Sequence, residues 1–160
     1  MSITSKSFYN DSLTLLIDFY QLSMAYAWWQ NGYRDVHAVY HLYFRKQPFG
    51  GGYAISCGLN QFIEIINSWD LHLDQMLEIA KLKPELKNAV ADKKFINFLK
   101  SLKNVITIKA VSDGTVIFCT EPIIQVTGPI IIAQLLESIA LNIFGYQTLI
   151  ATTNISSVTS

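Results

Sequence analysis

Phe44-Arg45-Lys46-Gln47-Pro48-Phe49-Gly50-Gly51-Gly52-Tyr53-Ala54 decides how the rest of this chain is read. Two cations close a strand-like run and meet a proline, an aromatic ring and three consecutive glycines. Arg45 offers a planar fork of N–H donors to a phosphate, and Lys46 a compact point charge. Glycine opens backbone angles closed to other residues and lets a ligand or another chain approach the main chain. A glycine run alone marks a turn or a close-packing device. The flanking cations add the phosphate signal.

Working outward, Ala38 to Arg45 is aromatic, β-branched and partly alternating, which predicts a strand. Ala38, Tyr40, Leu42 and Phe44 share one face; Val39, His41, Tyr43 and Arg45 share the other. Upstream, Asp11 or Ser12 is placed to cap a helix that runs to Asn31-Gly32. Leu15, Leu16, Phe19, Leu22, Ser23 and Tyr26 recur on its face at helical spacing. Downstream, Ala54 or Ser56 leads into a helix through Leu59, Phe62, Ile63 and Ile66.

The later segments continue the mixture. Asp70 to Leu82 and Asp92 to Leu102 are predicted as helices separated by a turn at Lys83-Pro84. Lys93, Lys94, Lys100 and Lys103 form a solvated face rather than a phosphate patch. Strands are expected at Val105 to Val111, Thr115 to Cys119 and Ile123 to Val126. Ser112-Asp113-Gly114-Thr115 and Glu121-Pro122 supply the turns. Gly128-Pro129 is expected to start one final long helix. The fold class is therefore α+β, not an alternating doubly wound sheet.

Composition narrows the function classes. The 160 residues suit one domain. Twelve basic and twelve acidic residues cancel, so any phosphate recognition has to be local, and neither nucleic acid nor an anionic membrane is favoured. Hydrophobic residues make up 51% and charged residues 15%, with mean hydropathy +0.28. A small domain buries its apolar surface incompletely, so part of this excess is expected to lie against another domain or subunit. Ile130, Ile131, Leu135, Ile139 and Ile143 are the expected contacts. The apolar run Pro129 to Tyr146 is broken by Gln134, Glu137 and Asn142, which argues for a buried helix over a membrane span. Residues 1–12 lack a signal-peptide core, and the expected location is cytoplasmic.

Few residues suggest chemistry by type. Tyr20 offers a flat ring and a hydroxyl, suited to stacking on a small aromatic ligand or to a core position. Asp18 can orient a neighbour, and Ser23 can pack or bond back along its helix. His37 and His41 sit four apart on a strand, too spread for a compact pair. Cys57 and Cys119 are read as buried free thiols, and no metal site is expected. The chain carries no Walker-type loop and no dinucleotide fingerprint.

Several ordered strings carry a family resemblance. Asp18-Phe19-Tyr20-Gln21-Leu22-Ser23-Met24 and Phe44 to Ala54 resemble the opening of nicotinate phosphoribosyltransferases. Gly58-Leu59, Gly114 to Phe118, Glu121 to Pro129, Gln134-Leu135-Leu136-Glu137 and Leu149-Ile150-Ala151-Thr152 follow in that family's order. Each string is short; their order from about Ser12 to Thr152 is what identifies the resemblance.

The resemblance implies an N-terminal domain of a type II phosphoribosyltransferase, without the α/β barrel that follows it. In the complete enzyme, nicotinate and phosphoribosyl pyrophosphate give nicotinate mononucleotide in NAD salvage, with ATP and magnesium as cofactors. It implies Tyr20 against nicotinate, Arg45 and Lys46 at phosphate, and Asp18 in support, with no catalytic residue in this chain. It further implies a homodimer or a barrel-containing partner. Residues 1–151 would form the domain portion, and residues 152–160 a divergent stub. That Ser/Thr-rich, β-branched tail suits a helix poorly. Ser112-Asp113 also stands where the family has proline-glutamate. The expectation is a truncated chain, inactive alone. The alternative is a non-catalytic interaction module or split-enzyme subunit.

Overall fold

One strand organises the molecule. In the computed structural model, which describes residues 17–67, 78, 80–101 and 105–158, β5 (Ile124–Pro129) lies between β1 (His37–Leu42) and β3 (Thr107–Ala110). Both pairings are antiparallel, with Tyr40 opposite Val126 and Ile108 opposite Val126 from the other side. Ile124 and Val126 are buried, whereas Gln125 and Thr127 face outward and only partly covered, the alternation of a half-buried sheet. Gly128 is required by close approach. A Cβ there would lie 2.9 Å from Ile106 Cγ2 and 3.1 Å from the Val105 carbonyl oxygen.

The helices cover the inner face. α1 (Phe19–Gln30) packs on α5 (Ile130–Leu135), which lies against β1 and β5. Ile131 to Leu135 are all buried, so α5 is a core helix with no solvent face. Tyr26 and Trp29 of α1 meet Phe95 at ring-centroid distances of 5.1 and 5.9 Å. Phe95 belongs to α4 (Lys93–Ser101), which follows α3 (Lys87–Ala91). Asp92 starts α4 by accepting the Lys94 and Phe95 N–H groups, and its other oxygen takes the Trp29 indole N–H at 3.3 Å.

A smaller sheet pairs β2 (Ala54–Ile55) with β4 (Val116–Ile117). Its free edge faces α6 (Glu137–Val158), where side chains stand in for a missing strand. Thr152 Oγ1 accepts the Ile55 N–H at 3.0 Å, and Thr148 Oγ1 accepts that of Cys57 at 3.2 Å. Backbone donors at a buried edge need such partners. Asp113 similarly caps α2 (Leu59–Asn67) from a distance, its Oδ1 accepting the Gly58 and Leu59 N–H groups at 2.9 Å each.

The α+β class holds, with some element bounds shifted. The first helix among the described residues starts at Phe19, because Asp18 is extended (φ −67°, ψ 143°); the expected caps Asp11 and Ser12 lie outside the described residues. Ala54-Ile55 form a strand, and the next helix waits until Leu59. Gly128 and Pro129 end β5 and do not begin a helix; the final helical run is two helices separated at Leu136. The Ser/Thr-rich tail, expected to resist helix formation, is helical through Val158. Thr152 and Thr153 donate to the Thr148 and Leu149 carbonyls at 2.6 and 2.9 Å, which absorbs their hydroxyls. Most of the helix expected at Asp70 to Leu82, with His72, falls outside the described residues.

The apolar excess is placed differently from expectation. Ile131, Leu135, Ile139 and Ile143 are buried in this domain's own core, and Ile130 is half-buried against it. On α6 the uncovered apolar groups are instead Leu141, Tyr146, Leu149 and Ile150. The run Ile130–Asn154 is long and apolar enough to cross a membrane by length and composition, yet 61% of its apolar 18-residue window is buried inside the fold. A core helix passes the same test.

Candidate functional site

The start of α1 puts three neighbouring residues to different uses. Asp18 stops short of the helix, Tyr20 turns outward, and Gln21 turns wholly inward. Gln21 Nε2 donates to the Gln134 carbonyl oxygen at 3.2 Å and to Glu137 Oε2 at 3.3 Å. The Ser138 hydroxyl donates to Asp18 Oδ2 at 2.5 Å and lies 3.0 Å from Gln21 Oε1. The Tyr20 hydroxyl donates to the same Glu137 oxygen at 3.4 Å. A buried amide therefore holds a carboxylate, and that carboxylate tethers an exposed phenol.

Glu137 also lines a groove of about 240 Å³ between β1, β5 and the α5–α6 junction. Leu42, Ile124, Val126, Leu136 and Ala140 give it apolar walls; Tyr40, His41, Tyr43 and Arg45 add polar edges. Arg45 is exposed and has no acidic partner among the described residues. Lys46 is exposed beside it but does not line the groove. Burial, then the Glu137 carboxylate, pushes the Tyr40 phenol above the ordinary tyrosine value. Partial burial followed by Glu137 and Asp18 does the same to Tyr20. Both phenols remain protonated donors at neutral pH.

The glycine loop continues from Arg45. Gln47 Nε2 donates to the Ile117 carbonyl oxygen at 3.3 Å, and Pro48 opens a single 3₁₀ turn. Within that turn Phe49 adopts φ 56°, unusual for a side-chain-bearing residue, and leaves its ring 68% exposed. Only Gly50 of the three glycines has a left-handed φ, 66°. The run's freedom is thus used at one position, beside an outward-facing aromatic ring.

The arrangement can bind and position an anion and a flat ring. Among the described residues no cysteine or serine hydrogen-bonds to a histidine, and no three His, Cys, Asp or Glu side chains gather where a metal could sit. His37 and His41 are exposed, and His41 Nε2 shares a 3.2 Å hydrogen bond with Gln125 Oε1. The thiols are less buried than expected: Cys57 is half-buried and Cys119 exposed. Burial and then Asp113 push the Cys57 thiol up, away from reactive thiolate character.

Of the residues singled out in the sequence, the structure joins Asp18 and Tyr20 through Ser138, Gln21 and Glu137, and joins Arg45 to Glu137 through the groove. Lys46 stays at the periphery. Glu137, Gln21, Ser138 and Tyr40 were not foreseen as a set. Their signal was present, since Gln134 and Glu137 are two of the three polar residues noted as interrupting the most apolar stretch of the chain.

Comparisons with known proteins bear on the family and the fold. A family profile described as the nicotinate phosphoribosyltransferase (NAPRTase) N-terminal domain matches residues 15–144. Nicotinate phosphoribosyltransferase 1 of Arabidopsis thaliana is 37% identical over 139 residues, covering 86% of this chain and 24% of the relative. The Bacillus subtilis nicotinate phosphoribosyltransferase is 37% identical over 145 residues, covering 91% and 28%. The crystal structure of human nicotinic acid phosphoribosyltransferase superposes with a TM-score of 0.74 at 31% identity, covering 85% of this chain and 27% of that one. The chain spans about a quarter of the length of the curated relatives it matches.

Proposed function

The chain belongs to the nicotinate phosphoribosyltransferase family, and we propose that it supplies one side of a site that joins nicotinate to phosphoribosyl pyrophosphate. The product is nicotinate mononucleotide, with pyrophosphate released, as a salvage step toward NAD in the cytoplasm. Tyr20 lies against the nicotinate ring, Asp18 supports it through Ser138 and Gln21, and Arg45 with Lys46 takes the phosphate charge. The observation that carries this reading is the placement of Arg45. It is an exposed guanidinium without an acidic partner among the described residues, on the same groove as the carboxylate that holds Tyr20.

Positioning and charge stabilisation suit this reaction, because the ribosyl carbon becomes cationic as pyrophosphate leaves. This reading assigns the described residues binding roles and no catalytic one. ATP and magnesium enter the proposal as cofactors of the complete site, with Arg45 and Lys46 as this chain's own groups for a phosphate. Residues 1–151 form the domain portion in this reading, and the 160-residue chain is inactive by itself.

A second reading is a docking subunit or interaction module without its own turnover. The exposed Leu141, Tyr146, Leu149 and Ile150 on α6 favour a barrel-containing partner, or a second copy, against that face. One experiment separates the readings. Purified chain with nicotinate, phosphoribosyl pyrophosphate and magnesium-ATP is expected to give no nicotinate mononucleotide, and co-expression with a barrel-containing segment is expected to give it. Turnover by the homogeneous chain would overturn the inactivity. Stable association without turnover would favour the interaction module.

A further inference from the structure

Glu137 opens α6, so its carboxylate complements the positive end of that helix. That alone would be a structural role. Its contacts go further. Oε2 faces the exposed phenol of Tyr20 at 3.4 Å and is held in place by buried Gln21 at 3.3 Å. Gln21 in turn is fixed by the Gln134 carbonyl and by Ser138. No cation pairs with Glu137 among the described residues. The chain therefore places a carboxylate at the hydroxyl of a tyrosine that is 51% exposed.

We propose that Glu137 is a positioning residue that makes Tyr20 a platform for a pyridinium ring, an inference that rests on the reading of Tyr20 as the nicotinate-facing residue. In the transfer step the pyridine nitrogen lone pair forms the bond to the ribosyl carbon. The carbon–oxygen bond to pyrophosphate breaks, and its electron pair leaves with the pyrophosphate. The ring nitrogen thereby acquires a formal positive charge. A phenol that donates to a carboxylate has a more electron-rich ring, and the face of such a ring attracts cations. The platform consequently favours the charged ring of the product side over the neutral ring of the substrate. The Tyr20 hydroxyl is the link between Glu137 and that ring face.

The test uses the full 160-residue chain and two probes that differ by one charge, nicotinamide and the cationic N-methylnicotinamide. Tyr20 ring resonances are followed by NMR during titration. The cation is expected to bind about two- to fivefold more tightly, the range for an exposed cation–aromatic contact. Glu137→Gln, which keeps shape and hydrogen-bonding capacity, is expected to bring the ratio close to one. In a Tyr20→Phe background the same substitution is expected to change nothing. Alkaline spectrophotometric titration provides a second readout. The Tyr20 phenol, identified by its loss in Tyr20→Phe and faced by Glu137 and Asp18, is expected to titrate above ordinary tyrosine and to move down in Glu137→Gln. Equal responses to both probes, or none, would overturn the proposal, as would a Glu137→Gln variant that melts earlier but keeps its charge preference. Charge preference without mononucleotide formation by the reconstituted mixture would remove the nicotinate reading and leave the platform. Turnover without charge preference would remove only the role of Glu137.

Discussion

Glu137 and Arg45 line the same groove from two different kinds of support. Glu137 is reached by a buried amide, and its neighbours Gln21, Gln134 and Ser138 are all at least 95% covered. Arg45 sits past the end of β1, exposed, at the start of a loop secured by Gln47 and by its exit strand β2. The ring-holding side is built into the core before any ligand arrives. The side proposed to face phosphate projects from the fold and presents Phe49 outward. A domain that completes its site with another body would divide its residues in this way, fixing what must be oriented and exposing what must be met.

The strongest way to break this contrast is to loosen the support beneath α1. Phe95 is fully buried and packs on Tyr26 and Trp29 of α1. Phe95→Ala should cost about 3–5 kcal/mol through lost transfer energy and the cavity left behind. Chemical denaturation would show a lowered midpoint with an unchanged slope. A loss below about 1 kcal/mol would mean that α1 is held chiefly from the α5 side.

Gln21→Leu probes the ring-holding side itself and should come next in size. It removes a donor from the Gln134 carbonyl and from Glu137, and an acceptor near Ser138, while keeping much of the volume. Leaving such buried groups unmatched costs about 1–3 kcal/mol. The Tyr20 ring should also become more mobile, measurable as averaging of its NMR resonances. An unchanged ring would show that the hydroxyl contact to Glu137 suffices without the amide.

The sequence made the Arg45 side of this contrast more legible than the side anchored by Gln21. Arg45, Lys46 and the glycines are adjacent in the chain, so their chemistry can be read as a string. Alternation likewise revealed the outer and inner faces of β1. Glu137 and Tyr20 are 117 positions apart, and only the packing of α1 on α5 brings them together. Periodicity reports burial without reporting what a buried polar side chain meets. That is why Gln21 could pass as an ordinary helix residue and Ile139 as a docking residue. The tail failed for a related reason. Propensity counted Thr152 against a helix, whereas tertiary structure uses its hydroxyl to complete the edge of β2.

That edge supplies a smaller perturbation on the phosphate-facing side. Thr152→Val keeps the branched shape but takes away the acceptor of the Ile55 N–H. One net hydrogen bond is worth about 1 kcal/mol. Amide exchange should quicken first at Ile55, directly after the glycine loop, and less at the Gln21 side chain's neighbours. Uniform quickening across both regions would show that the two supports unfold as one unit and would erase the distinction drawn between them.

Phe49→Gly should have the smallest effect on folding and is the most informative about the loop. The substitution removes a ring that is largely in solvent and relieves a φ of 56° that a side chain disfavours. The added freedom of the unfolded chain opposes that relief, so the net change should stay within about 0.5 kcal/mol. Thermal melting of the isolated chain should therefore barely move. If Phe49 is held outward to meet the other side of the site, association with a barrel-containing segment should weaken while the melt stays constant. Should stability fall by more than about 1 kcal/mol instead, the ring supports its own loop, and the phosphate-facing side is more self-contained than its exposure suggests.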